Sequence, residues 1–183
     1  MVAASINPTL NRDVLAELPD KVAIQQTLYL FSIAVDTHDL SLLSSIFASD
    51  ACANFATLAG TVCGLSAIET GLAEFLNGTL SHHDQSATVI DVDPHSGTAN
   101  SSIYLQGTFF GRGVLQGQAI TTYGRYVDSL VRTSNGWLIT KRFLNVTVCF
   151  VPSPSASSTS DIMCAKSSEL KAQIGNAAVL EAY

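Results

Sequence analysis

Two of the chain's four histidines, His82 and His83, stand side by side in LSHHDQSATVIDVDP, on the polar opening of a segment with strand character. Neighbouring strand residues point to opposite faces, so at most one of the two looks into a buried space. An imidazole shut away from water loses its charged form unless a carboxylate lies within about 4–6 Å, which restores basicity and fixes the tautomer. Such a pair is a general base near neutral pH. Removing a proton beside a carbonyl also needs hydrogen-bond donors where negative charge develops, and Tyr29, Tyr104 and Tyr123 are the phenols expected to supply them.

Other chemistries find less support. His82, His83 and Asp84 are consecutive and cannot converge on one ion from a regular strand, so no metal site is expected. No serine sits in a G-x-S-x-G turn, and GTFFGRGVLQGQ lacks the strand-turn-helix setting of a phosphate loop. Cofactor-free chemistry is the expectation. Cys52, Cys63, Cys149 and Cys164 form no C-x-x-C and are expected as buried thiols. His38 and His95 fall in turn-like segments and are expected at the surface. Asn77-Gly-Thr, Asn100-Ser-Ser and Asn145-Val-Thr match the glycosylation pattern, which carries little weight without an export signal.

The elements that must position these groups follow from composition and periodicity. With 183 residues, 47% apolar and 13% charged, and a mean hydropathy of +0.30, the chain can build one good core. A net charge of −6 and a pI near 5.0 exclude a general affinity for nucleic acid. No apolar run approaches the ~20 residues of a membrane span, the first residues lack the pattern of a secretory signal, and a cytoplasmic setting is expected. Ile24, Leu28, Phe31 and Val35 mark one face of a helix starting at Asp20 as its cap. A short second helix follows with Asp39 as cap and Leu42, Leu43, Ile46 and Phe47 buried. A hairpin then turns near Gly60, and a third helix opens with a Ser66–Glu69 capping box. Residues 81–93, 97–110, 116–133 and 136–150 read as four long strands joined by short turns, an antiparallel meander. Strands this long coil or bulge, and the helices cover the concave side. The expected fold is α+β, a cone-shaped curved antiparallel sheet under N-terminal helices, spanning 18–152. An extension precedes it (1–17), and a Ser/Pro linker with a helical tail follows (153–183).

Three stretches, SIAVDTHDLSLLSSIFASDA, SHHDQSATVIDVD and TTYGRYVDSLVRTSNGWLITKR, resemble the SnoaL-like branch of the nuclear transport factor 2-like superfamily. Within the last, Gly124 through Arg142 fit the pattern G-x-Y-x-D-x-x-x-R-x-x-x-G-W-x-I-x-x-R. The resemblance implies that Asp36 and His83 meet inside the cone, with His82 facing solvent or a subunit interface. The catalytic set expected is then Asp36 and His83 with the phenols Tyr29 and Tyr104 as donors; Ser86 and Tyr123 are expected along a substrate pocket, and Phe31, Phe47, Phe55 and Phe75 as its wall or as core. Ser86 stands where relatives carry Asn, and the second histidine of the melanin dehydratase is missing from 97–110. Arg125 and Arg142 are expected to pair structurally across the meander, with Asp128 as a partner, and Trp137 to pack. The implied activity is a cofactor-independent lyase or isomerase on a small apolar metabolite such as a polyketide or terpenoid, in a homodimer paired through the sheet. The rivals are a non-catalytic binding or dimerising module, and an epoxide hydrolase built on Asp91 or Asp128 with Arg125.

Overall fold

The computed structural model describes residues 12–55, 60–113 and 116–150. The expected linker, tail helix and Cys164 lie outside those residues. Helix α1 runs from Arg12 to Thr37 and buries the expected stripe of Ile24, Leu28, Phe31 and Val35. It begins ahead of the expected start and continues through Pro19, so Asp20 lies within the helix and does not cap it. Tertiary partners claim that carboxylate: it accepts a 3.0 Å hydrogen bond from the Trp137 indole and pairs with Arg132, while Arg132 also lies over the Trp137 ring.

A 3-10 turn, Leu40–Ser45, replaces the expected short helix; Leu43, Ile46 and Phe47 are buried, and Asp39 makes no side-chain cap. Strand β1 (Phe47–Asn54) pairs antiparallel with β2 (Thr61–Cys63). Helix α2 (Leu65–Leu76) has Gly64 at its N-cap, so the expected Ser66–Glu69 capping box is not formed. The Gly64 amide, bonded to the Ala51 carbonyl at 2.8 Å, ties the helix start to β1 instead. The meander is as expected: β3 (Thr79–Asp93), β4 (Thr98–Gly111), β5 (Ala119–Thr133) and β6 (Gly136–Phe150).

The six strands form one curved, unclosed sheet in the order β2-β1-β6-β5-β4-β3. It is mixed, not purely antiparallel, because β1 lies parallel to β6. The turn after α1 delivers β1 to the free side of β6, where the Ile139 amide donates to the Ile46 carbonyl at 2.8 Å. Register slips at Gln85/Thr88, Tyr123/Gly124 and Ser129/Leu130 give these long strands the bulges that bend a sheet. At the second of them a Cβ on residue 124 would stand 2.6 Å from the Asn145 carbonyl oxygen, which is why glycine opens the motif there.

Helix α1 covers the concave face. Along β4 the odd residues Ala99, Ser101, Ile103 and Leu105 are buried in the interior, whereas the even, largely polar row faces outward. Asp128 and Arg142, neighbours across β5 and β6, are both fully buried and joined by two hydrogen bonds of 2.7 and 2.9 Å. The guanidinium carbon lies 4.4 and 4.2 Å from the ring centres of Phe31 and Tyr126. The expected pairing of Arg142 with Asp128 is present; Arg125 lies on the outer face and takes no part. Cys52 and Cys63, expected as buried thiols, form a disulfide across β1 and β2, because strand pairing sets them directly opposite each other.

Candidate functional site

The site lies where the end of α1 meets β3, the free edge of the sheet. An edge strand presents unpaired backbone groups, and Asp36 covers one of them: its Oδ2 accepts the His83 backbone N–H at 2.8 Å. Its Oδ1 accepts from His83 Nδ1 at 2.6 Å and from the Ser81 hydroxyl at 2.9 Å. A carboxylate can only accept, so Nδ1 carries the imidazole proton and the lone pair of the neutral ring is on Nε2. Burial opposes ionisation of Asp36, but hydrogen bonds from the His83 ring and amide, the nearby imidazole and Ser81 together hold its carboxyl below the usual carboxylate value.

Because Asp36 lies beside the strand edge, residues facing either side of the sheet can approach it. The His83 side chain, 4% exposed, turns inward. The 68% exposed His82 faces solvent, with Nδ1 still 3.9 Å from Asp36 Oδ2. The His83 ring rests on β4, where a Cβ at residue 107 would come within 3.1 Å of Cδ2 and Nε2, so Gly107 makes room for the imidazole. The edge of Phe109 closes one side at 5.3 Å between ring centres, and Phe75 packs on Phe109 at 5.0 Å.

Farther along α1 the polar seam to β3 continues: Gln85 Nε2 donates to the Leu28 carbonyl and Ser32 hydroxyl, and Gln25 Nε2 to the Thr88 hydroxyl. Opposite the seam, Phe31 lies 5.7 Å from both Phe55 and Tyr126 and 5.9 Å from Phe47. Burial pushes the Tyr126 phenol up to about 12, with Arg142 opposing the rise and Asp128 and Asp36 adding to it. Its hydroxyl therefore stays protonated at physiological pH.

The structure thus brings Asp36 and His83 together and sets Phe31, Phe47 and Phe55 in the interior, with Phe75 beside the His83 wall. It separates the remaining expected residues from them. Tyr104 is 53% exposed and Tyr123 42% exposed on the outer face, where strand parity directs them. Tyr29, 38% exposed, hydrogen-bonds Gln25 on the helix surface. Ser86 is exposed because it follows the inward Gln85 and alternates outward with His82 and Asp84. Asp91 and Arg125 share the outer face while Asp128 lies inside, so the three do not assemble a water-activating set. Sequence reasoning missed Tyr126, Gln85 and Gly107. Tyr126 was legible as the tyrosine in the motif's opening G-x-Y and Gln85 from its sharing the parity of His83, whereas Gly107 depends on a ring packed across strands. Among the described residues no cluster of three His, Cys, Asp or Glu side chains is placed to hold a metal ion. Two open clefts, about 320 and 460 Å³, lie between the 3-10 turn and α2, apart from the imidazole.

A family model described as a SnoaL-like domain matches residues 16–143. Among solved structures, a protein from Kribbella flavida, Kfla4162, superposes with a TM-score of 0.68 at 14% identity, covering 80% of this chain and 97% of its own. A hexachlorocyclohexane dehydrochlorinase, LinA-type3 from Novosphingobium barchaimii, gives 0.67 at 16% identity over 79% and 97%. A candidate scytalone dehydratase from Novosphingobium aromaticivorans gives 0.66 at 20% identity over 78% and 93%. At such identities these likenesses establish the fold. Comparison with curated proteins gives no match.

Proposed function

The chain belongs to the SnoaL-like domain family, and we propose that it is a lyase or isomerase that moves a proton on a small, largely apolar metabolite of polyketide or terpenoid type. The observation that carries this reading is the 2.6 Å contact between Asp36 and His83, which leaves Nε2 as an inward base. His83 Nε2 takes a proton from a carbon beside a carbonyl, and Asp36 balances the charge of the imidazolium. The neutral Tyr126 hydroxyl is the interior donor for the developing enolate oxygen. It replaces Tyr29 and Tyr104 in that role. Elimination or double-bond migration then follows from the same enolate, in keeping with the dehydratase and dehydrochlorinase named among the structural likenesses.

Deuterium uptake from D2O at the carbon beside the carbonyl of 6-hydroxy-1-tetralone tests the reading. The protein is expected to catalyse uptake, and His83→Ala to slow it ~10²-fold or more with the fold intact. Equal uptake by both proteins refutes it in favour of a binding module. That second reading has its own support, since Phe31, Phe55 and Tyr126 occupy the middle of the interior and the clefts lie outside it.

Two further proposals concern the setting. Phe110, Phe143 and Val148 join Tyr104 and Tyr123 as exposed apolar side chains on the outer sheet face, which supports pairing with a second copy there. No described helix is long and apolar enough to cross a membrane. The Cys52–Cys63 disulfide favours an oxidising compartment over the cytoplasm expected from the sequence.

A further inference from the structure

Strand β3 changes its facing directly after Gln85. Ser81, His83 and Gln85 turn inward; past the register slip the inward residues are Thr88, Ile90 and Val92. Gln85 is thus the last residue to share the inward row of His83 before the slip. The orientation of the Gln85 amide is fixed by its partners. Nε2 donates to the Leu28 carbonyl oxygen at 3.0 Å, a group that can only accept, and to the Ser32 hydroxyl at 2.7 Å. The other end, Oε1, is therefore a carbonyl acceptor, and among the described residues it is buried with no hydrogen-bond donor.

Buried acceptors without donors are uncommon and costly, so each asks for an explanation. The other such atom among the described residues, Arg142 Nη1, has one: its guanidinium is held twice by Asp128 and lies against the rings of Phe31 and Tyr126. The helix–strand seam accounts for Gln85 Nε2 and leaves Oε1 unexplained. Gln85 stands two residues from His83 on the same face, roughly 6.6 Å along the strand.

Resting on the reading of His83 as the base, we propose that Gln85 Oε1 accepts a hydrogen bond from a hydroxyl of the molecule on which His83 acts. The substrate class is then an alcohol or phenol on an apolar carbon frame that also carries a carbonyl. The hydroxyl lies roughly 6–7 Å from the carbon that loses its proton, the spacing of the two side chains along the strand. Gln85 sets specificity, and it does so by leaving its acceptor unsatisfied when the hydroxyl is missing.

A matched pair of probes, 6-hydroxy-1-tetralone and 1-tetralone, tests this by calorimetric titration of the full chain. The wild-type protein is expected to bind the hydroxylated ketone about tenfold more tightly, the size of one good neutral hydrogen bond. In Gln85→Met the ratio is expected to fall to about one while both ketones still bind. Loss of the Leu28 and Ser32 bonds threatens the fold of that variant, so the wild-type comparison is decisive alone. Equal wild-type affinities, an unchanged ratio in Gln85→Met, or failure of either ketone to bind the wild type at millimolar concentration would each overturn the proposal. His83→Ala separates the two ideas: it should abolish deuterium uptake and keep the hydroxyl preference.

Discussion

Asp36→Asn removes a charge while keeping the shape of the side chain, and its consequences can be worked from three hydrogen bonds. The carboxylate accepts at 2.6 and 2.9 Å on Oδ1 and at 2.8 Å on Oδ2. An amide has one oxygen. If it takes the Oδ1 position, the new NH2 faces the His83 backbone N–H, donor against donor; if it takes Oδ2, the NH2 faces Nδ1 and Ser81. The second arrangement is workable only when the imidazole moves its proton to Nε2, which turns the inward base into an acid. Losing one or two charge-assisted bonds, partly replaced by water at the exposed strand edge, costs about 2 kcal/mol of folding stability. Catalysed deuterium uptake should fall about 10²- to 10⁴-fold, the range for misplacing a positioned proton acceptor. The pH dependence has a definite sign. Because the folded carboxyl of Asp36 titrates below its ordinary value of 3.8, its contribution is present above that value and is lost as pH falls through the lower, folded one. Urea unfolding of both proteins should therefore show a gap near pH 7 that closes as the pH is lowered below about 4. A gap under about 0.5 kcal/mol at neutral pH, or one that does not change on acidification, would refute the reasoning.

Gly107→Ala sets a methyl group 3.1 Å from the His83 ring; a displacement of a few tenths of an ångström should slow uptake roughly tenfold in a folded protein, and an unchanged rate would mean the ring does not rest there. Arg142→Met strands the Asp128 carboxylate in the core and should cost about 3–5 kcal/mol in urea unfolding, with much of the loss recovered in the Asp128→Leu, Arg142→Met double variant. Reducing Cys52–Cys63, which are 11 residues apart, releases a loop whose closure stabilises by about 3 kcal/mol; an unshifted unfolding midpoint under reductant would contradict a formed bridge.

The parts of this molecule that repeat along the chain are legible in the amino-acid sequence alone. The stripe of Ile24, Leu28, Phe31 and Val35 and the four long strands follow from periods that packing enforces. Each named position of the motif from Gly124 to Arg142 has a place in the packing: Gly124 against the Asn145 carbonyl, Tyr126, Asp128, Ile139 and Arg142 inward, Arg132 over Trp137. What escaped depended on contacts distant in sequence. Asp20 looked like a cap because nothing local shows that Arg132 and Trp137 claim it. The parallel strand β1 has no local mark, since its partner lies nearly ninety residues away in the chain. The phenols failed as a group for one reason: Tyr104 and Tyr123 follow strand parity outward and Tyr29 lies on the open side of α1, while Tyr126 has the inward parity. The bulge behind Gln85 inverts that parity without a glycine or proline to announce it.

The pairing of Asp36 with His83 is tested most directly by the 15N spectrum of the His83 imidazole at neutral pH. A proton held on Nδ1, a bare Nε2, and loss of that pattern in Asp36→Asn are expected from the 2.6 Å contact. A ring protonated on Nε2, or one averaging between tautomers as in free imidazole, would contradict it.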